Sequence, residues 1–276
     1  AAPSAPTPPA AAARPPPPAA TPKGRAAPAV RALARELGVD LAHLTPSGPD
    51  GSITRADVEK AAAALADSTV LRGARRAMAE NMARAGREVV PATLHDHADI
   101  EHWSKDEDVT VRLIRALIAG CVAEPALNAR FDAENFSLRR NPHIDIGLAI
   151  DHPDGLFVPV LRNVREGGPA RWREQIDAAK RGVQERSLKP ADLRNPTITL
   201  SNFGTIAGRH AALVIVPPQV AILGAGRIQD IAVRANATVA LHRSLPLSLT
   251  FDHRAVTGGE AARFLRAVIA DLEQPR

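Results

Sequence analysis

The 276-residue chain contains no tyrosine and only two tryptophans, and aromatic residues make up 3% of it. A single cysteine, Cys121, excludes an internal disulfide framework and a cysteine-built zinc cluster, and fits a reducing, intracellular setting. No uninterrupted apolar stretch approaches the roughly 20 residues of a membrane helix, and no charged-then-apolar segment opens the chain. Charge is not concentrated either. The formal net charge of +5 divides into +2 over residues 1–24, zero over 25–62 and +3 over the remainder. Nucleic-acid binding needs clustered bases and usually stacking aromatics, so the composition argues against that class.

What is present falls into zones. Residues 1–22 are almost entirely alanine and proline, including Pro15–Pro18, and with Lys23 and Gly24 they make an Ala/Pro-rich linker over 1–24. Such a segment buries no core and reads as a polyproline-like spacer reaching on the order of 70 Å. A spacer implies a folded body at each end, so a further domain is expected upstream of Ala1. Residues 25–62 form a small island. Pro28 opens a helix with Val30, Leu33, Ala34 and Leu37 at helical spacing, and Gly38 ends it. After a Gly/Pro loop, Thr54 caps a second helix from Arg55 to Ala64. Under 40 residues is marginal for a fold, which suits docking better than chemistry. Residues 63–69 are a short joint.

Residues 70–276 alternate helical and strand patterns. Helices are expected over 71–86, 109–123, 169–186 and 259–272. Strands are expected at 143–150, 155–161, 198–200, 214–216, 220–223, 239–241 and 247–251. This mixture predicts one α/β domain.

Two strand ends carry candidate chemistry. Phe251-Asp252-His253-Arg254 delivers an imidazole to a turn before a helix; His253 reads either as a general base or as a structural histidine held by backbone. Thr199-Leu200-Ser201-Asn202-Phe203-Gly204 brings a hydroxyl to a turn, where Ser201 can attack, donate to an oxyanion or satisfy the turn. No Gly-x-Ser-x-Gly elbow is present, which argues against a serine hydrolase. His95-Asp96-His97 alternates along a strand without a third ligand, so no metal is expected. Gly224-Ala225-Gly226 lacks the third glycine of a dinucleotide loop, and Cys121 reads as core. Arg31 and Arg35 share a helix face at i, i+4, as a solvated face or a docking one.

The ordered set of Ala27–Asp40, Ser47–Thr54, Asp145–Ile150, Gly155–Asn163, Thr197–Gly204, Pro217–Val220 and Asp252–Arg254 resembles the dihydrolipoamide acyltransferases, the core-forming component of 2-oxo acid dehydrogenase complexes. The resemblance implies an Ala/Pro linker at 1–24, a small all-α peripheral subunit-binding domain at 25–62, a linker at 63–69, and an α/β (α+β) acyltransferase domain of the chloramphenicol-acetyltransferase-like type at 70–276. It implies acyl transfer between dihydrolipoamide and coenzyme A in the cytoplasm. His253 would be the base on the thiol, and Ser201 the donor to the tetrahedral oxyanion, each from a neighbouring chain of a homotrimer. Trimers of this family assemble into hollow cubic or icosahedral cores of 24 or 60 subunits. Arg31, Arg35 and Arg55 would grip dihydrolipoamide dehydrogenase or the 2-oxo acid decarboxylase component.

Three positions depart from the family pattern. Thr257 stands where an aspartate is usual, Ser52 where a basic residue is usual, and none of the five lysines sits on a lipoyl-type hairpin; Lys60 falls on a helix. The lipoyl group is therefore expected on an upstream domain. Thr257 keeps open a non-catalytic scaffold subunit of the same complex. A stand-alone acetyltransferase shares the fold but needs neither spacer nor docking island.

Overall fold

A computed structural model describes residues 25–65, 68, 70–235 and 238–275. The Ala/Pro segment 1–24 and most of the joint before residue 70 lie outside the described residues. The chain divides into two compact units, Ala1–Val70 and Leu71–Arg276. No described helix is long and apolar enough to cross a membrane.

In the first unit, β1 (Arg25–Ala26) and β2 (Ser52–Ile53) pair in parallel beside α1 (Pro28–Glu36) and α2 (Arg55–Leu65). Pro28 starts α1 where a missing N–H costs nothing. Gly38, at φ +69°, stops it, and the Val39 N–H closes back on the Ala34 carbonyl. Ala34, Val39, Ile53 and Val58 form the small core. Asp57 organises the loop: its carboxylate accepts from the Ser47 hydroxyl at 2.6 Å and from the Thr54 and Ser47 backbone N–H groups. These bonds hold its pKa far below the ordinary carboxylate range, the Ser47 hydroxyl contributing most.

The second unit begins with α3 (Gly73–Glu88), β3 (Pro91–Asp99) and α4 (Val109–Ala123). A hairpin follows, β4 (Ala129–Asp132) and β5 (Ser137–Arg140). Short strands come next: β6 (Ile146–Leu148), β7 (Ile150–His152), β8 (Gly155–Phe157) and β9 (Val160–Leu161). After α5 (Pro169–Gln184) come β10 (Ile198–Asn202), β11 (Ala221–Ala225), β12 (Gln229–Ala235), the long β13 (Thr238–Asp252) and α6 (Gly258–Leu272). Seven strands join in the order β12-β13-β11-β10-β6-β9, with β3 also on β13.

β13 shows why the sheet has two unlike faces. Leu245, Leu247, Leu249 and Phe251 alternate with Ser244, Ser248, Thr250 and Asp252, and all eight are buried. The leucine face belongs to the main core, which includes Leu113, Ile114 and Leu117 of α4 and Phe264, Leu265 and Val268 of α6. The hydroxyl face is covered by the chain after β10: the Ala211 N–H donates to Ser248 Oγ and the Leu213 N–H to Thr250 Oγ1, both at 3.1 Å. This corrects the strand expected at 214–216. That segment is irregular because its neighbours' backbone donors go to side chains of the sheet below rather than to a strand, and Pro217 and Pro218 then end any ladder. The expected strand 143–150 is likewise two pieces, β6 and β7, because the chain leaves the main sheet at Ala149 for the β7–β8 hairpin.

Candidate active site

β10 places Ser201 on the hydroxyl face, at the open end of the sheet. Its direct partner is Gly224 of β11, whose partner is Ser248 of β13, whose partner is His95 of β3. Ser201, Ser248 and His95 thus project from one row across four strands. Ser248 is occupied, bonding His95 Nδ1 at 3.0 Å and the Ala211 N–H. The His95 pKa is lowered by burial and by His210, whose ring lies 4.9 Å away. Ser201 is half-buried and its hydroxyl has no partner among the described residues.

Glycines make that arrangement possible. A Cβ on Gly224 would fall 2.6 Å from Leu213 Cδ1, and one on Gly204 would fall 2.1 Å from the Gly226 carbonyl oxygen. A Cβ on Gly226 would fall 2.0 Å from the Arg209 carbonyl. Gly224 and Gly226, which do not form a nucleotide loop, let the chain after Ser201 lie directly on the sheet.

His253 stands at the other end of β13. Its backbone N–H donates to the Val90 carbonyl at 2.8 Å, its ring rests 5.4 Å from the Phe251 ring, and it is exposed. Its two neighbours in the chain clamp it. Buried Asp252 accepts from Arg254 Nε at 3.0 Å and Nη2 at 2.7 Å, and from the Val90 and Arg254 backbone N–H groups. The Arg254 pKa is raised, chiefly by its hydrogen bond to Asp252. The same guanidinium donates to the Glu88 carbonyl and lies 4.9 Å over the Phe131 ring. Four residues on, Thr257 caps α6: its hydroxyl accepts from the Glu260 N–H, and the Glu260 carboxylate accepts from the Thr257 hydroxyl and N–H, both at 2.8 Å.

Register fixes the separation of the two candidates. His253 lies five residues beyond Ser248, about 17 Å along the strands, while Ser201 lies two strand spacings, about 10 Å, across. In one chain these side chains do not meet at one reacting atom. Two clefts of about 530 and 540 Å³, one beside α3, β8 and α5 and one beside β9 and α5, contain neither of them.

In the first unit, Arg31 Nε donates to the Ala26 carbonyl at 3.0 Å and Arg35 Nε to the Arg31 carbonyl at 3.3 Å, both on the exposed side of α1. Arg55 is paired with Glu59 at 2.6 Å. Ser52 Oγ donates to the Pro49 carbonyl, and Lys60 is exposed on α2. Sequence reading missed the Asp252–Arg254 clamp and the roles of Gly204 and Gly226. Asp252 was read only as a neighbour of His253, and nothing in its spacing to Arg254 marks the two as a buried ion pair.

The family model for 2-oxoacid dehydrogenases acyltransferase (catalytic domain) matches residues 65–276, and that for the e3 binding domain matches residues 24–59. The acetyltransferase component of the acetoin cleaving system of Bacillus subtilis (strain 168) is 29% identical over 90% of this chain and 69% of its own length. The lipoamide acyltransferase component of the branched-chain alpha-keto acid dehydrogenase complex of Pseudomonas aeruginosa is 30% identical over 91% of this chain and 66% of its own length. The chain thus spans about two thirds of these relatives. A solved structure of Azotobacter vinelandii dihydrolipoamide acetyltransferase superposes with a TM-score of 0.70 at 25% identity, covering 76% of this chain and 94% of that one. That structure concerns the catalytic roles of a serine, a histidine 52 positions later and an asparagine four positions after the histidine.

Proposed function

The chain belongs to the 2-oxoacid dehydrogenase acyltransferase family, and on that premise we propose that it moves an acyl group between dihydrolipoamide and coenzyme A in a 2-oxo acid dehydrogenase complex, whose core it helps to build. One observation carries the site. Ser201 and His253 have the same 52-residue spacing as the serine and histidine of the Azotobacter enzyme, yet stand at opposite ends of one sheet. Such a pair meets only if His253 of one protomer faces Ser201 of the next, as in a closed ring of three.

The residues suit the reaction. A thioester is attacked by thiolate, and an ordinary thiol is mostly protonated at neutral pH. His253 takes the proton from the coenzyme A sulfur as that sulfur attacks the thioester carbonyl carbon. The Ser201 hydroxyl donates to the oxygen that becomes negative. Collapse expels the dihydrolipoamide sulfur, which recovers the proton from His253, and the reverse direction uses the same groups. Thr257 follows His253 by four residues, the spacing of the asparagine after the histidine named for the Azotobacter enzyme. Asparagine, aspartate and threonine all cap helices, so threonine preserves the helix start that holds His253.

We divide the chain as linker 1–24, docking domain 25–62, joint 63–69 and acyltransferase domain 70–276. The docking domain uses Arg31 and Arg35 toward dihydrolipoamide dehydrogenase or the decarboxylase component; Arg55 joins them by releasing Glu59. The lipoyl group is a substrate arm carried outside residues 1–276, and the reaction takes place in the cytoplasm.

Subunit complementation tests the reading. His253→Ala and Ser201→Ala chains, each inactive or nearly so alone, are unfolded and refolded together. A shared site restores His253 and Ser201 in about a quarter of the interfaces of a random ring. Recovery of acyl transfer to that level is expected. Two variants that stay inactive after mixed assembly, shown by mass, would overturn the shared site.

A further inference from the structure

The row that carries Ser201 ends in a hydrogen bond whose direction is forced. Ser248 is 0% exposed, and its hydroxyl oxygen accepts the Ala211 N–H at 3.1 Å. A backbone N–H only donates, so the single hydroxyl proton needs another acceptor. Among the described residues that acceptor is His95 Nδ1, at 3.0 Å. This count assigns the ring proton of His95 to Nε2 and leaves Nδ1 as the acceptor. A protonated His95 would donate from both nitrogens. The Ser248 oxygen could take that second N–H, but its own proton would then be buried without a partner.

The bond reaches Ser201 through the strap 203–213 that follows it. Ser248 pins the strap at Ala211, and Thr250 pins it at Leu213; the partner of Thr250 is an alcohol, Thr93 Oγ1 at 2.9 Å, so only the Ser248 pin titrates. Phe203 and Leu213 of the strap lie over Gly224, the direct cross-strand partner of Ser201: a Cβ there would fall 2.9 Å from Phe203 Cε1 and 2.6 Å from Leu213 Cδ1. The groups around His95 do not favour a proton on it. The strap has no acid; its His210 ring lies 4.9 Å from the His95 ring, and Arg209 precedes it. On β3, His97 shares the face of His95, and Asp96 between them accepts the His97 N–H and lies 3.7 Å from His97 Nδ1. β13 presents the Ser248 and Thr250 hydroxyls, and its Asp252 is taken by Arg254. Burial, and then His210, hold the His95 pKa below the ordinary histidine value. We propose that neutral His95 is a positioning residue for acyl transfer: by taking the Ser248 proton it turns the Ser248 oxygen to the Ala211 N–H, pins the strap and so fixes Ser201, and acid unlatches it. The inference rests on the reading of Ser201 as the oxyanion donor and names what holds that donor in place.

Amide exchange of the peptide 203–216, followed by mass in the assembled protein and corrected for the intrinsic pH dependence of exchange, reads the latch without turnover. Values of kcat and of KM for coenzyme A and for a small acyl-dihydrolipoamide are measured beside it. Two variants divide the possibilities: His95→Ala removes the acceptor, and His95→Asn keeps an acceptor oxygen near the Nδ1 position without a titration. The wild-type strap should be protected at neutral pH and lose protection on the acid side of the ordinary histidine range. At neutral pH the His95→Ala strap should exchange about tenfold or more faster, with kcat lower by on the order of tenfold and both KM values unchanged, because Ser201 acts on the transition state. His95→Asn should keep wild-type protection and kcat at neutral pH, and its strap should stay protected in acid. A wild-type strap equally protected in acid, a His95→Ala strap protected like wild type, or a His95→Asn protein that behaves as His95→Ala would overturn the proposal. So would a His95→Ala strap that loosens at unchanged kcat, since the strap would then not hold Ser201. A wild-type latch that responds as expected in a protein that transfers no acyl group would support the latch and count against the acyltransferase reading.

Discussion

Asp252 and Arg254 grip each other around His253: two guanidinium nitrogens reach the carboxylate, the closer at 2.7 Å, and Asp252 is 2% exposed. The clamp fixes the backbone on both sides of His253, and with it the direction in which the Cα–Cβ bond leaves the strand. Removing the cation leaves a buried carboxylate unpaired, so Arg254→Ala should destabilise the larger unit by about 3 kcal/mol. Arg254→Lys should recover part of that stability but not the two-pronged geometry. Denaturant midpoints measure the first effect and kcat the second. Turnover of Arg254→Lys equal to wild type would show that the clamp does not orient His253.

At the start of α6, Thr257 and Glu260 hold each other reciprocally. Thr257→Ala should cost about 1 kcal/mol, whereas Thr257→Asp, another good cap, should cost little. The Glu260 pKa is lowered, first by the Thr257 N–H and then by its hydroxyl. A carboxylate depressed in the folded state stabilises above its unfolded pKa and loses that contribution as pH falls through the folded value. The deficit of Thr257→Ala should therefore be full at neutral pH and shrink in acid. A deficit that grows below pH 4 would contradict the box.

Asp57 makes a similar case in the small unit. Its pKa lies far below the carboxylate range because the Ser47 hydroxyl and the Thr54 and Ser47 N–H groups all favour the charged form. By the same linkage, its support for the loop is present from neutral pH down through the ordinary carboxylate range and disappears only in strong acid. Amide exchange in the full chain should show Ser47 and Thr54 protected at pH 4 in wild type and unprotected in Asp57→Ala. Equal protection in both would refute this.

Periodicity made much of this legible. Leu113, Ile114 and Leu117 announced a buried helix, and the His253 turn and Ser201 strand end stood out because polar groups broke apolar runs. The β4–β5 hairpin and β12 went unread. β5 is exposed throughout and β12 has no fully buried residue among those described, while β4 sends only Ala129 and Phe131 to the core, too short an apolar pattern to mark a strand. Val214–Val216 misled for the opposite reason: an apolar triplet can bury side chains on a sheet face without joining a ladder, and only Ile215 of the three is buried. The separation of Ser201 from His253 could not be read either, because strand order belongs to the pairing of distant segments.

Gly204 gives the sharpest test of how Ser201 is held. A methyl group at Gly204 would meet the Gly226 carbonyl oxygen at 2.1 Å, and that atom is backbone in a loop whose own Cβ direction is closed by Arg209. Neither side can yield by turning a rotamer, so Gly204→Ala must move the chain three residues after Ser201. A displacement of about 1 Å at a reacting group can cost on the order of 100-fold in rate. Gly86→Ala is the matched control. It lies inside α3, a Cβ there has nothing within 4 Å, and alanine in a helix should add up to about 1 kcal/mol of stability. Expected, then, are a kcat loss of about 100-fold for Gly204→Ala and unchanged turnover with a higher Tm for Gly86→Ala. If Gly204→Ala keeps its kcat, the loop does not set the position of the Ser201 hydroxyl, and the oxyanion role must be sought on another donor.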